Sequence, residues 1–282
     1  MNEHQHNSPN PKSGKNHEVC QHDPVDIDHI WNAIHHRASE IREEEHGLRS
    51  LLEDVVLSRP NLAVGLATRL SRKLAREDMT RDELFPLLSG IFESDTPLVQ
   101  SAARDLEANV QRDPACDSPL HPLLFLKGFL ALVTYRVSHH LWHQDRVELA
   151  LYFQSIASEV FAVDIHPAAT IGCGIMLDHA TSFVVGETAM IEDNVSILHE
   201  VTLGGTGKIS GDRHPIIRSD VLLGAGAKIL GRVEIGRGSK VGAGSVVLAD
   251  VPAHCTVAGV PAEIVSTSTA ESPALAMDQN LK

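Results

Sequence analysis

The chain is short of positive charge. Its 24 lysines and arginines stand against 37 aspartates and glutamates, a formal net charge of −13 at pH 7. Phosphate-rich surfaces bind proteins through clustered positive charge, so neither nucleic acid nor an anionic membrane is an expected partner. Cysteine is scarce as well. Cys20, Cys116, Cys173 and Cys255 form no CxxC pair and no zinc-ribbon spacing, and four in 282 residues do not make a disulfide framework. They read as reduced thiols. No stretch reaches the ~18 apolar residues of a membrane span, and the opening "MNEHQHNSPNPKSGKNHEVC" lacks the apolar centre of a signal peptide. A cytoplasmic address is the expectation. What is present is enough: 43% of the residues are hydrophobic, and the length suits two domains with cores of their own.

Residues 1–22 are rich in His, Asn, Pro and Ser and nearly empty of aliphatics, so they read as a flexible tail whose irregular histidines carry no role. From 23 to 160 the periodicity is helical. Ile27, Ile30, Trp31, Ile34, Ala38 and Ile41 recur three and four apart with charges between them. Later segments begin at clear punctuation: after Pro60, at a Thr80 cap with Glu83 in the capping-box position, and with Pro97 early in the next helix. Six to eight helices follow from this spacing. The last long pieces, "LLFLKGFLALVTYRVSHHLWHQ" and "RVELALYFQSIASEVF", are apolar enough to pack against other helices or another subunit.

At Val163 the period changes to six. Ile165, Ile171, Leu177 and Phe183 are followed, after a two-residue slip, by Val185, Ile191, Ile197 and Leu203; the series resumes at Ile217, Leu223, Ile229, Ile235, Val241 and Val247. Fourteen such hexads, at about eighteen residues per coil, predict a parallel β-helix of between four and five coils spanning 161–265. Nothing in the period fixes its hand, although ordinary parallel crossovers are right-handed. Between Leu203 and Ile217 the segment "GGTGKISGDRHPI" cannot be coil interior and must be an extruded loop, a place where function tends to sit. Residues 266–282, short and polar, predict a second flexible tail.

Two polar residues interrupt the aliphatic series at Asp178 and His179, and His199 follows His179 by twenty positions, so the two histidines should stack on neighbouring coils. Stacked histidines on an outer face can be solvated fillers, can share a metal, or can include a catalytic base. Spacing leaves all three open.

The stretches "VDIHPAATIGCGIMLDHAT", "VVGETAMIEDNVSILHEVTLGGTGK", "GDRHPIIR", "GAGAKILG" and "GAGSVVLADVPAHCTVAGVPAEIV", in this order, resemble the serine O-acetyltransferase family of hexapeptide-repeat acyltransferases. The likeness extends into the helical part through "RDPACDSPLHPLLFLKGFLALVTYR" and "LWHQ", and covers about 26–265. It implies an α+β protein in two domains, with an N-terminal α-helical domain followed by a left-handed parallel β-helix. It further implies acetyl transfer from acetyl-CoA to the hydroxyl of L-serine without a covalent acyl-enzyme.

Residue by residue, the resemblance makes His179 the general base and Asp164 the carboxylate that holds its imidazole, roles that suit a side chain titrating near neutral pH and its orienter. Arg213 and His214 match the residues that grip the serine carboxylate; Asp113 and Asp178 match those that receive its ammonium and hydroxyl. Each acid also has a plainer reading: Asp164 as a turn former before a strand, Asp178 as a corner residue, and Asp113 as a helix end before Pro114. For acetyl-CoA the family points to Gly204, Gly205 and Thr206, to Ala225 and Ala243 on successive coils, and to Lys240 and Arg237 near its phosphates, with no metal required. Acyl-CoA sites of this fold lie between neighbouring subunits, so a homo-oligomer is implied, either a trimer or a dimer of trimers. L-Cysteine, which mimics serine, is the implied inhibitor. O-acetylserine sulfhydrylase is a usual partner through a C-terminal tail ending in isoleucine; this chain ends in lysine, which argues against that partnership. Two rivals remain: a relative that binds metal through its stacked histidines, which would require a third well-spaced ligand, and a non-catalytic scaffolding subunit.

Overall fold

The protein is described by a computed structural model over residues 24–207, 210–267 and 272–281; the N-terminal stretch 1–22, read as a flexible tail, lies outside these. Eight α-helices come first: α1 (Ile27–Glu44), α2 (Arg49–Leu52), α3 (Leu62–Leu74), α4 (Arg81–Ser94), α5 (Thr96–Arg112), α6 (Leu120–Leu124), α7 (Lys127–His143) and α8 (Val147–Phe161). The caps fall where the sequence places them. Thr80 and Glu83 close a capping box on α4, and Asp95 accepts from the Leu98 amide at the start of α5, with Pro97 in its first turn. The long apolar run after Leu123 breaks into α6 and α7, and the stretch after α1 contains a π-helical turn, Glu53–Leu57, so local periodicity gave the helices but not their joints.

Thirteen short strands then wind a parallel β-helix: β1 (Val163–Ile165), β2 (Thr170–Ile171), β3 (Met176–Leu177), β4 (Phe183–Val185), β5 (Met190–Ile191), β6 (Ser196–Ile197), β7 (Thr202–Gly204), β8 (Ile216–Ile217), β9 (Leu222–Leu223), β10 (Lys228–Leu230), β11 (Glu234–Ile235), β12 (Lys240–Val241) and β13 (Val246–Val247). Every third strand joins the same sheet. The orders are β1-β4-β7-β10-β13, β2-β5-β8-β11 and β3-β6-β9-β12, the last continued by an antiparallel hairpin of β14 (Cys255–Gly259) and β15 (Ala262–Thr267). A bridge from Ile235 to Val251, together with β14, closes a fifth coil.

The register explains the period. Ile165 pairs with Val185, Val185 with Leu203, Leu203 with Ile229, and Ile229 with Val247. These aliphatics stack inward and are buried, each contributing roughly 1.5–3 kcal/mol by leaving water. The first coil carries the two-residue slip, and the coil between Leu203 and Ile229 carries the extruded loop.

The helices are not a separate body beside the β-helix. α5 and α7 both pack on β3. Asp105 on α5 and Arg136 on α7 form a buried ion pair at 2.6 Å, and both reach the first coil: Asp105 accepts from the Ile175 amide, while Arg136 donates to Gly172 O. Arg112, at the end of α5, donates to Ser196 Oγ on β6. Buried charges are tolerated where such a network satisfies them.

Residues 272–281, read from sequence as a loose tail, lie against the β-helix. A short α9 (Pro273–Ala276) buries Pro273 and Ala274, Ser196 Oγ donates to Ala274 O, and Ser266 Oγ donates to Leu281 O. Small and apolar side chains in this segment, rather than its overall polarity, decide that it docks. No helix among the described residues is long and apolar enough to cross a membrane.

Candidate active site

One edge of the triangular coil stack is built by register alone. Leu177, Ile197, Leu223 and Val241 pair in line, so the residues two positions on, His179, His199, Ala225 and Ala243, occupy the same corner of four successive coils. The two imidazoles meet edge to face with centroids 5.8 Å apart. Sharp corners demand left-handed backbone: His179, Ala180 and Ser182 all have φ near +60°, as does Glu200 one coil on. The His179 side chain is 72% exposed, with Nδ1 3.5 Å from Asp178 Oδ1.

Helix α7 holds this strained corner in place. Lys127 Nζ donates to Thr181 Oγ1 at 2.5 Å, and Gly128 sits so close that an added Cβ would stand 1.9 Å from Leu177 O. Helix α5 delivers Asp113, which caps its end, to the neighbourhood of Asp178. Burial pushes the Asp178 carboxyl above its ordinary value; the adjacent His179 opposes this, and the Asp113 charge adds to it. The base candidate and the two candidate ammonium-binding carboxylates therefore lie together.

A second edge carries the residues carried over for the serine carboxylate. The extruded loop returns through Arg213 and His214 beside the Gly186–Thr188 corner. Thr188 organises both: its Oγ1 accepts from the amides of Arg213 (3.0 Å) and His214 (3.2 Å), and its own amide donates to His214 Nδ1 at 3.1 Å. That bond leaves the His214 proton on Nε2. Burial, then the Arg213 charge, lowers the His214 pKa, and the Arg213 guanidinium, 2.5 Å from Glu187 Oε2, lowers that of Glu187. Gly186 permits the arrangement, since a Cβ there would fall 2.1 Å from the His214 ring.

Within one chain these edges remain apart. Asp164 does not hydrogen-bond to His179: its Oδ1 accepts from Gln154 Nε2 at 2.7 Å, and its charge acts on His166, as do those of Glu187 and Arg213. The dyad expected from sequence is therefore not formed inside a single chain, because Asp164 faces outward from a sheet and His179 sits on the corner before it. The acetyl-CoA candidates divide in the same way. Ala225 and Ala243 lie on the first edge, whereas Gly205 borders Arg213 and His214, with Gly204 and Thr206 beside it in sequence. The Lys240 ammonium donates to the carbonyls of Asp278 and Asn280, and Arg237 pairs with Asp220.

Thr188, Glu187, Gln154, Lys127 and Gly128 had no signal in the sequence, since each acts through contacts far away along the chain. Cys173, Cys116 and Cys255 are all buried, and Cys116 and Cys255 are free. No group of three or more His, Cys, Asp or Glu among the described residues could hold a metal ion.

Comparison with known proteins supplies the family. The description "Serine acetyltransferase, N-terminal" matches residues 30–134, and "Bacterial transferase hexapeptide (six repeats)" matches 214–249. The serine acetyltransferase of Escherichia coli K12 is 50% identical over 255 residues, 90% of this chain and 93% of that protein. The chain belongs to the serine acetyltransferase family. Solved structures agree. A serine acetyltransferase in complex with cysteine superposes with a TM-score of 0.88 at 49% identity, covering 90% of this chain and 99% of the other. Soybean serine acetyltransferase complexed with serine gives 0.84 at 51%, covering 86% and 100%. The Brucella abortus enzyme in complex with coenzyme A gives 0.84 at 46%, covering 86% and 99%.

Proposed function

We propose that the two edges are halves of one serine acetyltransferase centre, assembled where neighbouring copies of this chain meet. The reaction is that of the family: acetyl passes from acetyl-CoA to the hydroxyl of L-serine, giving O-acetyl-L-serine for cysteine biosynthesis. The observation that carries the assembly is the separation itself. A base with two carboxylates for an ammonium lies on one edge, and an arginine–histidine pair suited to a carboxylate lies on another, so a single amino-acid substrate cannot use both within one chain. Exposed Val184 and Leu248, at the outer side of the sheet containing β4 and β13, supply apolar surface for such packing. A trimer satisfies all three edges by symmetry, and pairing of trimers through the helical domains would give the hexamer.

In the assembled site Asp113 and Asp178 hold the serine ammonium, and Arg213 and His214 of the adjoining copy hold its carboxylate, Arg213 exchanging Glu187 for the ligand's forked acceptor. His179 takes the hydroxyl proton. Asp164, in the same electrostatic neighbourhood as Arg213, comes to the base with that second edge and orients it. Ala225 and Ala243 leave room along the first edge for the pantetheine arm, with Gly204, Gly205 and Thr206 facing it. L-Cysteine, differing from serine by sulfur for oxygen, fits the same grip, and this supports feedback inhibition. A sulfhydrylase would have to displace residues 272–281 before taking up the C-terminus. Acetyl-CoA is a cytoplasmic metabolite, which favours that compartment.

Thiol release from acetyl-CoA, with L-serine, L-homoserine or water as acceptor, tests the activity; serine-dependent release suppressed by L-cysteine is the expected result. Subunit mixing tests the assembly. Co-assembled His179→Ala and Arg213→Ala chains, assayed at serine well below the raised KM of Arg213→Ala, should exceed the summed activity of the two separate variants, and no excess in verified mixed oligomers would refute a shared site.

A further inference from the structure

His199 has no part in the reaction described so far, yet it shares the edge with the base. Its ring stands one coil above His179, edge to face at 5.8 Å, and its Nδ1 is buried with no hydrogen-bond partner. A proton on Nδ1 would be a buried donor without an acceptor, which favours the tautomer with its proton on Nε2, and no hydrogen bond joins that nitrogen to another described residue. The next two positions on the edge are Ala225 and Ala243, so the wall drops from imidazole to methyl immediately above His199. An extended thioester arm lying along the alanines brings its acyl end down to the step. There it meets His199 first and His179 one coil rise further, about 4.8 Å away.

We propose that His199 is a second catalytic residue, donating from Nε2 to the carbonyl oxygen of the acetyl thioester. The serine hydroxyl oxygen bonds to the acetyl carbon as its proton passes to His179. The carbonyl electron pair moves onto oxygen, where His199 Nε2–H stabilises the oxyanion. Collapse restores the carbonyl and breaks the carbon–sulfur bond, and the departing thiolate takes the proton from the His179 imidazolium. Donors aimed at such an oxyanion are worth about 10²–10³-fold in turnover. This inference rests on His179 as the base and on the alanine edge as the path of the arm.

Three variants of the full chain decide it, each assayed per folded protein. His199→Gln keeps an N–H donor near the position of Nε2, while His199→Met keeps the bulk and removes the donor; His179→Ala reports separately on the base. His199→Met should lose about 10²–10³-fold in kcat, with the KM for serine and calorimetric binding of coenzyme A within about twofold of the parent, and His199→Gln should keep most of its turnover. A parental kcat in His199→Met would overturn the inference, as would equal losses in both His199 variants accompanied by weaker coenzyme A binding, the signature of a steric filler. If His179→Ala itself turned over normally, the underlying reading of the base would be the one to fail.

Discussion

The two edges of the β-helix were made by different means. The edge bearing His179 and His199 is a product of repetition: each coil sets its corner residue above the last, so stacking needs no long-range contact beyond the strand register. The edge bearing Arg213 and His214 is a product of an interruption, a loop that leaves the coil and returns through Thr188, Glu187 and the space left by Gly186. Repetition places a residue with certainty but offers only outward-facing corner positions. An excursion can aim a guanidinium and an imidazole at one ligand, at the cost of contacts that must all form. On the proposed reading, proton transfer and the ammonium grip belong to the first edge and the carboxylate grip to the second.

Variants that separate turnover from grip test this division. The largest effect belongs to the repeated edge: His179→Ala should lower kcat by ~10²–10⁴-fold, the usual range for a lost general base, with the KM for serine little changed. Steady-state kinetics over a serine series measures both. A pure KM effect would place the imidazole in binding and erase the contrast.

Next in size is the excursion. Arg213→Ala removes a charge-assisted contact of about 1.5–3 kcal/mol, so the KM for serine should rise roughly 10- to 100-fold while the acetyl-CoA dependence holds. Gly186→Ala should follow it in direction, because a Cβ 2.1 Å from the His214 ring forces that ring aside. If Arg213→Ala changed kcat alone, the second edge would not be the grip.

The smallest effect is a displacement of a pH profile. Asp178 must be ionised to hold an ammonium, and burial raises its pKa, so serine binding should weaken on acidification at a higher pH than an ordinary aspartate would dictate. Asp113→Asn removes a like charge that also raises that pKa. The acidic limb of kcat/KM for serine should therefore move to lower pH in the variant; an unmoved limb would mean that the two carboxylates do not share a site.

Most of the first edge was legible in the sequence because a period of six is a strong signal, and the slip before Val185 located His199 above His179. The capping box at Thr80 and Glu83 was equally local. Lys127 and Gly128 were not legible, since their importance comes from Leu177 and Thr181 some fifty residues away. The contact of the Lys240 ammonium with a C-terminal segment that composition alone described as loose was not legible for the same reason. Asp164 was assigned to His179 by resemblance, and in the chain it is held by Gln154 from α8.

The sequence by itself determined the coil, its inward aliphatics and the identity of its corner residues, because in a β-helix each residue's place depends on neighbours a fixed number of positions away. Only the tertiary structure decided that α5 and α7 clamp the first coils, that residues 272–281 dock, and that the candidate base and the candidate carboxylate grip stand on different edges. Those outcomes depend on which distant surfaces meet, and no period encodes that.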